Sequence, residues 1–155
     1  MSGMIDARLK QLEISLPEAA VPVANYLPWV VAGNLVFVAG QLPLVNGAPR
    51  YVGRVGRDFT VEDGAAAARL CGINLLAQLR AACNGSLDTV RRVVKLGGFV
   101  NCADDFTRIP QVVNGASDLM VELFGEHGRH ARFAVGAPSL PLGAAVEIDG
   151  IFEVA

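Results

Sequence analysis

The last quarter of the chain, Ala131 to Glu153, reads A-R-F-A-V-G-A-P-S-L-P-L-G-A-A-V-E-I-D-G-I-F-E. Phe133 and Val135 alternate with small or charged neighbours, and Val146, Ile148, Phe152 and Val154 alternate with Glu147, Asp149 and Glu153. Alternation with period two makes half-buried strands. Pro138, Pro141 and Gly143 mark the loop between the two runs. Arg132 then stands near the head of one strand and Glu147 near the head of the next, each directed away from the apolar face. Two rigid elements can in this way hold a cation and a carboxylate close together. The same spacing also fits two solvated charges on a half-buried sheet, and alternation alone does not choose between them.

At 155 residues the chain has the length of one domain and can bury a core of its own. Apolar residues make up 52% and charged residues 18%, which excludes a disordered chain. Mean hydropathy is +0.41, yet no apolar run approaches the roughly 20 residues of a membrane helix. The N-terminus lacks a basic flank followed by an apolar stretch, so neither a secretory signal nor a membrane partner is expected. A chain this apolar is expected to bury part of its surface against copies of itself. Net charge is −2 and the sequence pI about 5.6. Nucleic-acid binders carry a basic face, so no nucleic-acid partner is expected. Arg91, Arg92 and Lys95 form a basic cluster without interleaved aromatics, which reads as a solvated edge.

Cys71, Cys83 and Cys102 are odd in number and lack C-x-x-C spacing or a histidine partner. They read as buried structural thiols of a reducing cytoplasm. His127 and His130 flank Gly128-Arg129 and read as helix-end caps or solvent-facing groups, because no third ligand type clusters with them. No metal site is expected.

Met4 to Ile14 reads as a short amphipathic helix, stopped by Ser15-Leu16-Pro17. The Pro/Ala-rich segment up to Pro28 reads as extended. The organisation is therefore an N-terminal helix and leader over residues 1–22 and one domain over 23–155. Strands are predicted at Trp29 to Val31 and Leu35 to Ala39 around an Ala32-Gly33-Asn34 turn. Gly40 permits a close backbone approach or a bulge. Asn46-Gly47 marks a turn and Tyr51 to Val55 a candidate strand. Thr60, with Asp63 three positions on, caps a helix that runs to about Cys83 and ends at Asn84-Gly85. Val90 to Asn101 is a central strand. Asp104-Asp105 are expected to cap a second helix, Phe106 to Phe124, with Pro110 in an early turn. Its buried stripe is Ile109, Val112, Val113, Ala116, Met120, Leu123 and Phe124. This order predicts an α+β layer with two main helices on one face of the sheet.

Three blocks carry a resemblance. Arg132, Val135, Leu140-Pro141 and Val146-Glu147-Ile148-Asp149 fit R-x-x-V-x(4)-L-P-x(4)-V-E-[IV]-[DE]. Gly33-Asn34-Leu35-Val36-Phe37-Val38-Ala39-Gly40-Gln41-Leu42-Pro43 fits G-N-x-[VI]-[FY]-x-[SA]-G-Q-[LI]-P, with Tyr26 a little upstream. Val90 to Leu96, followed by Phe99-Val100, is a weaker third match. In this order, from about Tyr26 to Val154, the blocks resemble the Rid/YjgF family, the reactive intermediate deaminases once called endoribonuclease L-PSP. The resemblance implies a chorismate-mutase-like fold with a mixed sheet, assembled as a homotrimer with sites at the subunit interfaces. It also implies roles for four residues. Arg132 is the substrate anchor, Glu147 positions water, the Gly40 carbonyl helps hold that water, and Tyr26 completes the pocket from the adjacent subunit.

A guanidinium matches a carboxylate bidentately, so Arg132 suits a small 2-imino or 2-keto acid. A carboxylate beside the C=N carbon can order a water and accept its proton. The imine carbon is already electrophilic, so no metal or organic cofactor is called for. The resemblance thus implies hydrolysis of 2-enamine or 2-imine intermediates to 2-keto acids and ammonia. Two alternatives stand beside it: a non-catalytic binder of small carboxylate metabolites, and an endoribonuclease as in the older family name. Three departures place the chain in a divergent branch. Ala134 occupies a position where many members have cysteine, Leu27-Pro28-Trp29 replaces small polar residues, and the stretch from Asn114 to Gly128 is longer than in other members; the leader, too, is longer than in compact members.

Overall fold

Alternating runs pair into one sheet in the computed structural model, which describes residues 3–21 and 24–155. In chain order the strands are β1 (Trp29–Ala32), β2 (Leu35–Gln41), β3 (Leu44–Val45), β4 (Ala48–Pro49), β5 (Val90–Asn101), β6 (Ala131–Ala137) and β7 (Val146–Val154). Five of them form a sheet in the order β1-β2-β7-β5-β6, and β3 pairs with β4 in a separate hairpin. Neighbours in the sheet are antiparallel except β5 and β6, which are parallel. The helices are α1 (Met4–Gln11), α2 (Val61–Ala82) and α3 (Ile109–Phe124). None among the described residues is long and apolar enough to cross a membrane.

Local chemistry sets the ends of α2. The Thr60 hydroxyl accepts from the Asp63 amide at 3.1 Å, and the Asp63 carboxylate accepts from the Thr60 amide at 3.0 Å. Two amides that the helix leaves unpaired are thereby satisfied reciprocally. At the other end Asn84 and Gly85 take φ of 55° and 96°, which turns the chain out of the helix. Thr60→Ala is expected to lower stability by about 1 kcal/mol, measured as a shift of the urea midpoint at unchanged slope.

One face of the sheet receives α2 and α3. Val36, Val38, Leu96, Val100, Val146, Ile148 and Phe152 are buried on it, against Leu75 and Leu79 of α2 and Val112, Val113, Ala116 and Met120 of α3. The helices themselves cross closely. A Cβ on Gly115 of α3 would run into the backbone carbonyl oxygen of Ala65 in α2.

Several elements differ from the sequence reading. Helix α1 stops at Gln11 and not at Ile14, because Glu13 turns with φ of 57° and the Ile14 amide bonds back to the Leu9 carbonyl at 2.9 Å. Tyr51 to Val55 is no strand. Tyr51 and Gly53 have φ of 54° and 145°, which break extended pairing and leave isolated bridges from Val52 and Val55. Helix α3 begins at Ile109, not Phe106, and carries no acid in its first turn. Pro110 fits only the opening turn and so fixes the start there. Asp104 lies before the helix and pairs with Arg54 at 3.4 Å. Cys71 and Cys102 are buried, with burial raising both thiol pKa values, whereas Cys83 is only half-buried. The expected join between leader and domain, at residues 22 and 23, lies outside the described residues.

Candidate functional site

The register between β2 and β7 slips beside Glu147. Val38 pairs with Gly150 and Gln41 with Ile148, so Ala39 and Gly40 together face Asp149. This is a β-bulge, one extra residue in one strand of an antiparallel pair. It brings the Gly40 backbone over the Glu147 side chain. A Cβ added there would lie 3.0 Å from the Glu147 carboxyl carbon. A side chain there would press on the Glu147 carboxyl, so glycine suits the position by its small size and not by its backbone angle. Gly40 and Tyr26 line one cavity of about 430 Å³ with Gln41, Gln78 and Leu142. Tyr26 and Gly40 thus border one cavity within a single chain.

Glu147 is half-buried on the sheet face away from the helices. Burial raises its pKa above the ordinary carboxylate value, and the nearby charge of Asp149 adds to the rise. Burial also raises Asp149, opposed by the Gly97 amide and by Lys95. A carboxyl moved upward in this way is better placed to take and return a proton than a free one.

Arg132 lies elsewhere. Its position in β6 pairs with Leu96, whose side chain is buried under the helices, so Arg132 points to the helix face. Its Nη1 donates to Asn114 Oδ1 at 2.8 Å and to Ser117 Oγ at 3.1 Å, both on α3. Nε and Nη2 have no partner among the described residues, so one edge of the guanidinium is open. Strand β5 separates β6 from β7, which puts two strand spacings, roughly 10 Å, between them. Arg132 and Glu147 thus occupy opposite faces of the sheet and do not meet within one chain.

The expectation that both residues point away from one shared apolar face is corrected here. Alternation holds inside each strand, but the apolar residues of β6 turn to the face that lacks helices. Phe133 packs edge-on against Phe99 with ring centroids 5.3 Å apart, and Lys95 Nζ lies 5.6 Å from the Phe133 ring centre. On α3, Asn114 and Ser117 complement Arg132, whereas Ile109 lies against Gly136 further along β6.

Those two helix residues escaped the sequence reading, and His130, read there as a helix-end cap or solvent-facing group, turns inward. Asn114 and Ser117 are three apart and so share a helix face, which was legible, but their partner is 15 or more residues away. His130 is half-buried and bonded to Ser117, while His127 is exposed with its Nδ1 2.7 Å from the Arg91 carbonyl. A larger recess of about 770 Å³ lies beneath α1, bordered by Ile5, Arg8, Arg91, Phe124 and His127. It contains none of the expected site residues.

Known proteins share this arrangement of elements. The profile of a family described as "YjgF/chorismate mutase-like, putative endoribonuclease" matches residues 6–152. Protein TCP17 of Trypanosoma cruzi is 48% identical over 154 residues, which are 99% of this chain and 96% of that protein. The crystal structure of Atu1372 from Agrobacterium tumefaciens, described as of unknown function, superposes with a TM-score of 0.92 at 50% identity, covering 97% of this chain and 92% of that one. A "putative endoribonuclease" from Shewanella oneidensis MR-1 superposes with a TM-score of 0.94 at 36% identity, covering 98% and 100%. With a sequence match running nearly end to end and the same α+β fold, the chain belongs to the YjgF/chorismate mutase-like family.

Proposed function

We propose that the protein is a cytoplasmic deaminase that hydrolyses reactive 2-imino acids and their enamine tautomers to 2-keto acids and ammonia, without a cofactor. The observation that carries this reading is the Gly40 bulge laid over a half-buried Glu147 of raised pKa, beside a cavity that Tyr26 also lines. Water held between the Gly40 carbonyl and Glu147 attacks C2 of the imine, and Glu147 takes its proton. Glu147 passes that proton to nitrogen, giving the carbinolamine, then takes the hydroxyl proton and returns it to nitrogen as the C–N bond breaks, so ammonia leaves with the 2-keto acid. Arg132 anchors the substrate carboxylate through its open Nε and Nη2 edge.

Because Arg132 faces away from Glu147 in one chain, the complete site is proposed to form between subunits of a homotrimer. Val30, Phe37, Phe99 and Val135 leave large apolar side chains exposed on the helix-free face, and burying them gives association a driving force.

Ammonia release from freshly generated 2-imino acids of graded side-chain size tests the reading. The intact protein accelerates release, and Arg132→Ala raises KM by about 10- to 100-fold, as loss of a bidentate charged contact requires. No acceleration by the intact protein, together with pyruvate binding that depends on Arg132, would shift the assignment to a carboxylate-binding protein. RNA cleavage that co-purifies with the protein and disappears in Arg132→Ala would shift it to a nuclease.

A further inference from the structure

The bonds that hold Arg132 run in one direction through four groups. His130 Nδ1 lies 2.6 Å from the Gly128 carbonyl oxygen. A carbonyl only accepts, so Nδ1 carries the ring proton. Nε2 of the neutral ring is then an acceptor, and it lies 2.9 Å from Ser117 Oγ. The single hydroxyl proton of Ser117 is thereby directed at His130, which leaves its lone pairs to the Arg132 Nη1–H at 3.1 Å. Asn114 Oδ1 takes the other Nη1 hydrogen at 2.8 Å. Both hydrogens of Nη1 are committed.

We infer that Ser117 and His130 are positioning residues, a brace of fixed proton order that presents the Nε–Nη2 edge of Arg132 to a ligand carboxylate. The inference rests on the proposed reading of Arg132 as a carboxylate anchor. Its physical basis is that an arginine side chain has several rotatable bonds, and fixing them in advance removes an ordering cost from binding. The neutral ring on which the order depends is favoured by its surroundings. Burial lowers the His130 pKa, and the Arg132 charge lowers it further, against the Gly128 carbonyl, which raises it. Arg92 and Arg129 border the same shallow recess as His130, so the neighbouring charges there are cationic. None of these bonds touches the reacting carbon, so the brace acts on binding and leaves the chemical step alone.

Nitrogen NMR of the labelled protein tests the brace without any ligand. The ring shifts of His130 report the Nδ1–H tautomer. The two Nη nitrogens of Arg132 give separate signals in the intact protein, and these merge in Ser117→Ala and His130→Ala as the guanidinium is freed. His130→Gln, which keeps an acceptor near the Nε2 position, restores the separation. Pyruvate binding weakens about fivefold in Ser117→Ala, the scale of one lost hydrogen bond, and turnover shows the change in KM with kcat held. An Nε2–H tautomer, or Arg132 signals unaltered by Ser117→Ala, overturns the inference, since Asn114 alone would then set the pose. If pyruvate fails to bind the intact protein, the proposed function falls, while the tautomer and guanidinium signals still decide whether the brace exists.

Discussion

Glu147→Gln is expected to lower the rate of imine hydrolysis by about 10²- to 10⁴-fold, the usual contribution of one general base. The same variant is expected to melt higher than the intact protein at pH 8. Gln preserves the shape under the Gly40 bulge and removes a charge that burial and Asp149 both disfavour. In the unfolded chain a glutamate titrates near 4.3, and in the folded chain this one titrates above its ordinary value. Below the unfolded value both states are protonated and the carboxyl costs nothing. As pH rises through the raised folded value, the unfolded state has lost its proton and the folded state is penalised for doing so. The gain from Gln is therefore absent near pH 4 and full above the folded pKa. Thermal melts at the two pH values, paired with ammonia release, read both effects. An active Glu147→Gln protein would remove Glu147 from the mechanism. A slow variant with no stability gain at pH 8 would show that the carboxylate is better solvated than its place in the sheet indicates.

Gly115→Ala is expected to destabilise the fold by about 3 kcal/mol, the upper end for overpacking. Helix propensity argues the other way, since alanine is better than glycine inside a helix by about 1 kcal/mol. Packing wins because the added methyl meets the backbone carbonyl of Ala65, which no rotamer change can move aside. Relief requires α2 and α3 to separate, and that opens the buried contacts of Val112, Ala116 and Leu119. Urea unfolding gives the measurement. A neutral or stabilised Gly115→Ala protein would mean that the two helices do not cross this closely.

Local signals in the sequence were read well where the chemistry is local. Thr60 and Asp63 announce their own helix start, Asn84-Gly85 its end, and the run from Val90 to Asn101 is the strand at those bounds. Asn46-Gly47 signalled the turn of the small hairpin, with φ of 51° and 77°. Long-range placement was not legible. Nothing within Ala131 to Glu153 states that β5 lies between its two strands, or that Phe133 faces the opposite side of the sheet from Val146. Those facts depend on what packs against each face, and the α3 residues that accept Arg132 belong to a different part of the chain. The Asp104-Asp105 reading failed for a related reason. Two acids ahead of an apolar stripe look like caps, but Pro110 determines where the helix can begin.

The bulge at Gly40 also indicates where new specificities could arise by mutation. Its backbone sits against the Glu147 carboxyl, and a larger residue there would have to push that carboxyl aside, so variation at this position disturbs Glu147 directly. Beside Ala39 and Gln41 of β2 and Gln78 of α2, the rim is formed by segments outside the main sheet: the leader through Ala20 and Val21, and the loop through Pro141 and Leu142. Insertions and substitutions in such segments are tolerated far better than changes in a core strand. Lineages of this protein could thus trade one substrate size for another by rebuilding the rim, while the strand pair beneath it stays the same.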